Sequence, residues 1–70
     1  MVESGELYRH YKGGVYGVLT VAKHCDNNDL YVVYKDVATS EVYIRPLKDF
    51  EGEAHGYKRF VLLEKVEIKV

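Results

Sequence analysis

The sequence lacks several features that would place it in a specialised class of protein. It contains no tryptophan, one cysteine and one proline among 70 residues, so an internal disulfide framework is excluded. No apolar run approaches the roughly 20 residues that a membrane-spanning helix needs, and we expect no membrane partner. Ten lysines and arginines against eleven aspartates and glutamates leave a net charge of −1, so no whole-molecule field attracts nucleic acid.

The start of the chain and its length indicate a small cytoplasmic domain. Residues 1–6 contain no basic segment followed by an apolar one, so we expect no signal peptide, and a lone thiol suits a reducing compartment. The length predicts a single domain over residues 1–70. Because a domain of this size buries only about 60% of the surface that its unfolded chain exposes, we expect the seven Tyr and two Phe residues to supply much of the core.

A period of two dominates the hydrophobic pattern, which is typical of β-strands. Turn-forming residues separate the apolar segments at Gly13-Gly14, residues 24–29 and residues 36–40. Residues 58–64 fit either a strand or one or two helical turns, and we favour the strand. The predicted strands cover residues 15–22, 30–35, 41–45 and 65–70, with a weaker one at 7–11.

The number and spacing of these strands predict an all-β fold. Five or six short, mostly antiparallel strands indicate a small SH3-like barrel. Closure of the barrel would remove the sheet edges that invite aggregation. Residues 46–57 form the longest irregular stretch and are expected to make a loop on the barrel, with Phe50 as its apolar anchor.

Several short strings, in a fixed order along the chain, resemble a known family. Residues 8–13 read Tyr-Arg-His-Tyr-Lys-Gly, and Arg45-Pro46 and Phe50 follow at a distance. Over roughly residues 5–63 this pattern resembles the bacterial domain-of-unknown-function family 1653. The chain departs from the family at Tyr43, where a Trp is common, and at Asp49, where a Met is common. The resemblance implies a small SH3-like β fold and no established activity, and a fold by itself would not confer one.

Basic and aromatic residues recur at alternate positions of the predicted strands. Alternate residues of a strand share a face, so Tyr43 and Arg45 point the same way. Arginine beside tyrosine stacks on planar groups and binds phosphate or carboxylate in a bidentate manner. We therefore predict a binding groove, with Arg59 nearby if its segment is a strand and with residues 48–56 as a rim. The predicted ligand-binding residues are Arg9, His10, Tyr11, Tyr16, Tyr43 and Arg45.

The groove predicts a non-catalytic binding module for a small, phosphate-bearing or extended ligand. A nucleotide, single-stranded nucleic acid and a peptide all fit that description. In the competing interpretation, the tyrosines only pack the barrel and the arginines pair with surface acids. A homo-oligomerising assembly module, pairing through an exposed strand at residues 66–70, is the alternative function. An enzyme that uses His10 or His24 beside Cys25 or a carboxylate is a further alternative. The sequence shows no recognised catalytic constellation, so no catalytic residue is assigned.

The spacing of potential ligands argues against a metal site. Three histidines, at positions 10, 24 and 55, and the single Cys25 do not reproduce the paired spacings of zinc sites. Neighbouring residues of an extended chain point apart, so His24 and Cys25 can act together only if the turn brings them together. No phosphate-binding glycine motif occurs. We expect neither a metal nor a cofactor, and Cys25 is expected to be a free thiol in a polar turn.

Overall fold

The computed structural model describes residues 1–66. In this part of the chain, five strands form one antiparallel sheet in the order β4-β3-β2-β1-β7, and β5 and β6 form a second, two-stranded sheet. No helix within residues 1–66 is long and apolar enough to cross a membrane. The elements are β1 (Glu6–His10), β2 (Val15–Lys23), β3 (Leu30–Asp36), β4 (Val42–Pro46), α1 (Leu47–Phe50), β5 (Glu53–Ala54), β6 (Tyr57–Lys58) and β7 (Phe60–Lys65).

The prediction of an all-β, antiparallel fold is confirmed, but the sheet is not closed into a barrel. Across the described residues, β4 and β7 are the two edges of the sheet and do not pair with each other. The chain leaves β4 at Pro46, which has no N–H for a ladder, and enters α1 directly. Phe50 of α1 is buried on the sheet, so an apolar side chain covers the inner face in place of a closing strand.

The strand favoured for residues 58–64 is confirmed as β7. The hairpin at Gly13-Gly14 is also confirmed, because both glycines adopt the positive φ, 98° and 86°, that other residues avoid. Residues 46–57, expected to be irregular, instead contain α1 and β5. The strand predicted at 65–70 lies mostly outside the described residues. Of its two described residues, Lys65 belongs to β7 and Val66 does not.

The sheet has an inner face that carries the core and an outer face that is partly exposed. Cross-strand pairing places Val18 opposite Tyr34, and Tyr34 opposite Tyr43, on the inner face. The rings of Phe50 and Phe60 stack there with their centroids 4.0 Å apart and 9° between their planes. The buried cluster consists of Val2, Val18, Val32, Tyr34, Phe50 and Phe60.

A register shift in the pairing of β2 with β3 changes which side chains of β2 point inward. The shift lies between Val18 and Thr20, as expected for a β-bulge that inserts one extra residue. Val18 is buried, and Val21, three residues on, also packs against the core. Leu19 is left exposed at the shift. The shift therefore aligns two valines of one strand with the same core.

Candidate functional site

A cavity of about 250 Å³ opens on the inner face of the sheet, next to the core. We call it the basic-aromatic cavity. All five strands of the large sheet contribute to it, since its residues come from β1, β2, β3, β4 and β7. It is lined by His10, Tyr16, Tyr34, Tyr43, Arg45 and Phe60.

The strand register explains why these residues meet. His10 lies opposite Phe60 in the β1–β7 pair, and Tyr34 lies opposite Tyr43 in the β3–β4 pair. Arg45 is two residues beyond Tyr43 and therefore shares its face. Side chains on one face of neighbouring antiparallel strands stand close enough to touch, so the inner face gathers one basic and several aromatic side chains from positions far apart in the sequence.

Edge-to-face ring contacts hold the aromatic walls of the cavity. The Tyr16 ring lies 5.6 Å from Tyr34, 5.8 Å from Phe60 and 6.4 Å from Tyr43, measured between centroids and at steep interplanar angles. The His10 ring contacts Phe60 in the same manner at 5.0 Å. Such T-shaped arrangements direct positive ring edges at negative ring faces and stabilise the pair beyond burial alone. The walls are therefore fixed by mutual packing.

Two arginines near the cavity are each held by one nitrogen. Arg45 Nε donates to the hydroxyl of the buried Tyr34 at 3.3 Å, and Arg59 Nε donates to the backbone carbonyl of Asp49 at 3.1 Å. Among residues 1–66, the terminal guanidinium nitrogens of both arginines have no hydrogen-bond or ion-pair partner. Each guanidinium thus has an anchored orientation and free donors, a geometry that suits an oxyanion.

The His10 side chain is a neutral donor beside these cations. Its Nδ1 accepts a hydrogen bond from the backbone N–H of Lys12 at 3.1 Å, so the neutral ring carries its proton on Nε2. Burial lowers the pKa of His10 below its ordinary value of 6.5, and the positive charges of Arg45, Arg59 and Lys12 lower it further. No Asp or Glu of the described chain lines the cavity, and the Glu41 carboxylate at its rim accepts a hydrogen bond from the Tyr43 hydroxyl.

Tyr43 forms the exposed rim of the cavity. Its hydroxyl donates to Glu41 Oε2 at 2.8 Å, and this hydrogen bond, with some burial and the charge of Glu41, raises the pKa of Tyr43 to about 12. The phenol therefore stays protonated at neutral pH. The residue is 40% exposed, so part of its surface remains available to a ligand.

Four of the six residues predicted for the groove line the cavity: His10, Tyr16, Tyr43 and Arg45. Arg9 pairs with Val15 and Val61, is exposed, and lies on the outer face. Tyr11 lies outside the lining, between His10 at 4.6 Å and His55 at 6.0 Å.

Sequence reasoning did not select Tyr34 and Phe60 for this site. Both belong to the buried cluster and look like ordinary core residues in the sequence. Tyr34 had one available signal, since it alternates with Val32 in a strand and so shares its inward face. The chain offers no comparable signal for Phe60, because its segment fits a helix as well as a strand.

A larger cavity, of about 340 Å³, also has Phe60 in its lining, together with residues of the N-terminal segment and β1. Its polar wall includes the buried Glu6, whose Oε1 accepts hydrogen bonds from the Glu3 backbone N–H at 2.7 Å and from the Tyr8 hydroxyl at 2.9 Å. Burial and the bond to Glu6 raise the pKa of Tyr8 above its ordinary range. Because Glu6 already ties the N-terminal segment to β1, we attribute this cavity to the packing of that segment.

The turn after β2 brings His24, Cys25 and Asp26 together. One potential ligand atom from each lies within 4.8 Å of the others. Two local contacts account for the arrangement: Asp26 N–H donates to His24 Nδ1 at 3.2 Å, and the Cys25 thiol donates to Asp26 Oδ1 at 3.6 Å. Cys25 is an exposed free thiol. The cluster is therefore explained as a turn with side-chain hydrogen bonds.

These observations define a small all-β domain that carries a basic-aromatic cavity on the inner face of an open antiparallel sheet. The family described as "Protein of unknown function (DUF1653)" matches residues 6–62. The chain belongs to this family, in agreement with the resemblance of its sequence. No curated protein and no solved structure matches the chain.

Proposed function

We propose that this chain is a non-catalytic binding module whose basic-aromatic cavity holds a small phosphate-bearing ligand. The observation that carries the proposal is the pair of anchored arginines. Arg45 lines the cavity, and Arg59 lies close enough for its charge to act on His10. Each is fixed through Nε and keeps its terminal nitrogens free among residues 1–66, and no carboxylate of the described chain lines the cavity. A phosphate presents several oxygens to such planar forks and is bound through charge-assisted hydrogen bonds.

The aromatic walls favour a nucleotide over a bare phosphate. Tyr43 is partly exposed at the rim, and Tyr16 stands behind it. Aromatic side chains stack on nucleobases of any identity, so one ligand with a base and a phosphate satisfies both halves of the cavity. A mononucleotide fits the small volume of about 250 Å³ better than a long strand. The net charge of −1 also disfavours nonspecific binding to polynucleotides.

Titration of the ¹⁵N-labelled chain with three compounds tests this proposal. Adenosine 5′-monophosphate, ribose 5-phosphate and adenosine separate the contribution of the phosphate from that of the base. We expect the monophosphate to bind most tightly, with the largest amide shifts at the residues of the basic-aromatic cavity and weaker binding as salt is added. Equal binding of adenosine and its monophosphate, or shifts centred on the larger cavity, would contradict the proposal. A short peptide is titrated for comparison, and tighter binding of the peptide would identify the ligand as an extended chain instead.

Ligand binding should depend on the protonation of His10. The free protein holds the pKa of His10 below 6.5 through burial and three nearby cations, whereas a bound anion favours the charged imidazolium and raises that pKa. The association constant should therefore rise as pH falls from the raised pKa of His10 in the complex toward its lowered pKa in the free protein, by up to roughly tenfold per pH unit for one coupled proton. The second phosphate ionisation, near pH 6, acts in the opposite direction because it removes charge from the ligand.

A matched variant separates the two ionisations. His10→Gln keeps a polar side chain without a titration in this range, so its pH profile reports the phosphate alone. The ratio of wild-type to variant affinity should increase between pH 8 and about 5.5. Parallel profiles for the two proteins would show that His10 takes no part in binding.

A further inference from the structure

The free edge of the sheet at β4 has backbone groups available for pairing. Asp36 N–H donates to the Glu41 carbonyl at 2.9 Å, so Glu41 directs its backbone toward β3. Antiparallel bonding alternates along a strand, and Tyr43 and Arg45 therefore also bond to β3. Val42 and Ile44 direct their N–H and C=O groups away from the sheet. Pro46 shares this outward phase, so its missing N–H costs the β3 ladder nothing.

This edge carries only part of the usual protection against pairing. Pro46 ends β4 and Arg45 points inward, and both features are common on edge strands. However, β4 has no lysine, keeps a regular register with β3 and, among residues 1–66, has no strand on its other side. Val42 and Ile44 are apolar and 55% and 68% exposed on the outer face. The other edge, β7, ends at Lys65, next to residues outside the described chain, so the inference is drawn for β4.

The sequence of this edge is complementary to itself. Residues 41–45 read Glu-Val-Tyr-Ile-Arg. When two copies run antiparallel and are centred on Tyr43, Glu41 of each copy lies opposite Arg45 of the other, and Val42 lies opposite Ile44. Acid then faces base twice, β-branched residue faces β-branched residue twice, and the two tyrosines meet on the axis. Opposed pairs of these kinds stabilise antiparallel strands.

The backbone phase agrees with the same register. In an antiparallel pair, directly opposed residues either exchange both hydrogen bonds or exchange none. Val42 and Ile44, the residues with outward groups, are opposed to each other in the register centred on Tyr43, so both can exchange their bonds with the second copy. A shift by one residue would oppose outward groups to inward ones and would also pair Glu41 with Ile44.

We propose that β4 pairs with β4 of a second copy of this chain about a two-fold axis through Tyr43, which joins two five-stranded sheets into one. An isologous contact of this kind closes on itself and produces a dimer without further growth at β4. The proposal goes beyond the binding function and does not rest on it, but Glu41 of the second copy competes with a phosphate for the free donors of Arg45. Charge complementarity identifies the partner strand, because the opposite charges of Glu41 and Arg45 favour an antiparallel copy of the same strand.

Exchange of the two charges tests the register directly. Sedimentation analysis over a range of protein concentrations should show a reversible monomer–dimer equilibrium for the wild-type chain. Glu41→Arg and Arg45→Glu should each weaken the dimer by about tenfold or more, because each places like charges opposite each other twice. The double variant E41R/R45E restores both opposed pairs and should recover dimerisation to within about threefold of wild type. Glu53→Arg and Arg9→Glu, exposed residues away from β4, are the matched controls and should leave it unchanged.

Amide exchange provides a second measurement that needs no substitution. In a monomer the amides of Val42 and Ile44 face solvent, whereas those of Tyr43 and Arg45 bond to β3. Protection at 42 and 44 should rise with protein concentration, while protection at 43 and 45 should not. A chain that stays monomeric at high concentration, or a double variant as weak as the single ones, would overturn the proposal. We expect E41R/R45E to bind the nucleotide at least as weakly as Arg45→Gln does even where the dimer is regained, so the two proposals fail separately.

Discussion

Phe60→Ala should destabilise the domain by about 3–5 kcal/mol, the range measured when a buried phenylalanine is truncated. Phe60 is 2% exposed and stacks on Phe50 at 4.0 Å, and its ring also contacts Tyr8, Tyr16 and Tyr34. Removal of the ring leaves these partners facing a void. A domain of this size has little stability in reserve, so we expect much of the variant to be unfolded at room temperature.

Denaturant titration followed by far-UV circular dichroism measures this loss, with a control taken from the same strand. Val61 is the next residue of β7 and is half-exposed on the outer face, so Val61→Ala should cost no more than about 0.5 kcal/mol. Phe60→Leu keeps part of the apolar volume and should fall between the two. Similar midpoints for Phe60→Ala and Val61→Ala would show that the stacked pair is not the centre of the core.

Arg45→Gln should weaken the binding of adenosine 5′-monophosphate by about ten- to a hundredfold. The guanidinium is the charged group on the cavity wall that is oriented by the buried Tyr34. A hydrogen bond to a charged group contributes about 1.5–3 kcal/mol, which corresponds to that range of affinity. Binding of adenosine should change much less, because it carries no phosphate. Calorimetric titration with both compounds measures the difference.

Arg9→Gln is the matched control for this substitution. It removes the same charge from the same net total, but Arg9 is exposed on the outer face of β1. Its effect on binding should be within about twofold, from screened long-range charge alone. If the two variants weakened binding equally, the effect would come from net charge and the basic-aromatic cavity would not be the site.

The alternation of apolar residues was sufficient to predict the class of fold and most strands, because a half-buried strand has the simple period of two. It was not sufficient to predict closure. Whether the edges β4 and β7 meet depends on where Phe50 packs after Pro46, which is a tertiary contact. Nor could the pattern reveal the register shift after Val18, since an extra residue in a strand changes which side chains share a face.

The candidate site could be predicted only in part, because alternation shows which residues of one strand share a face but not which distant segments meet. Tyr43 and Arg45 lie two positions apart on one strand, so their common face follows from local geometry. The prediction also joined residues from both faces of β1, and the structure separates them: His10 is on the inner face and Arg9 on the outer one. The anchoring of Arg45 by Tyr34 and of Arg59 by Asp49 depends on contacts between distant segments.

Phe60 and Tyr34 belong to the buried cluster and also form the floor of the basic-aromatic cavity. Substitution at either position therefore alters stability and ligand preference at once, and relatives of this chain cannot change the floor without loosening the whole domain. The rim is freer to change at Tyr43, which is exposed. Among family members, we expect position 43 to vary while the floor stays aromatic.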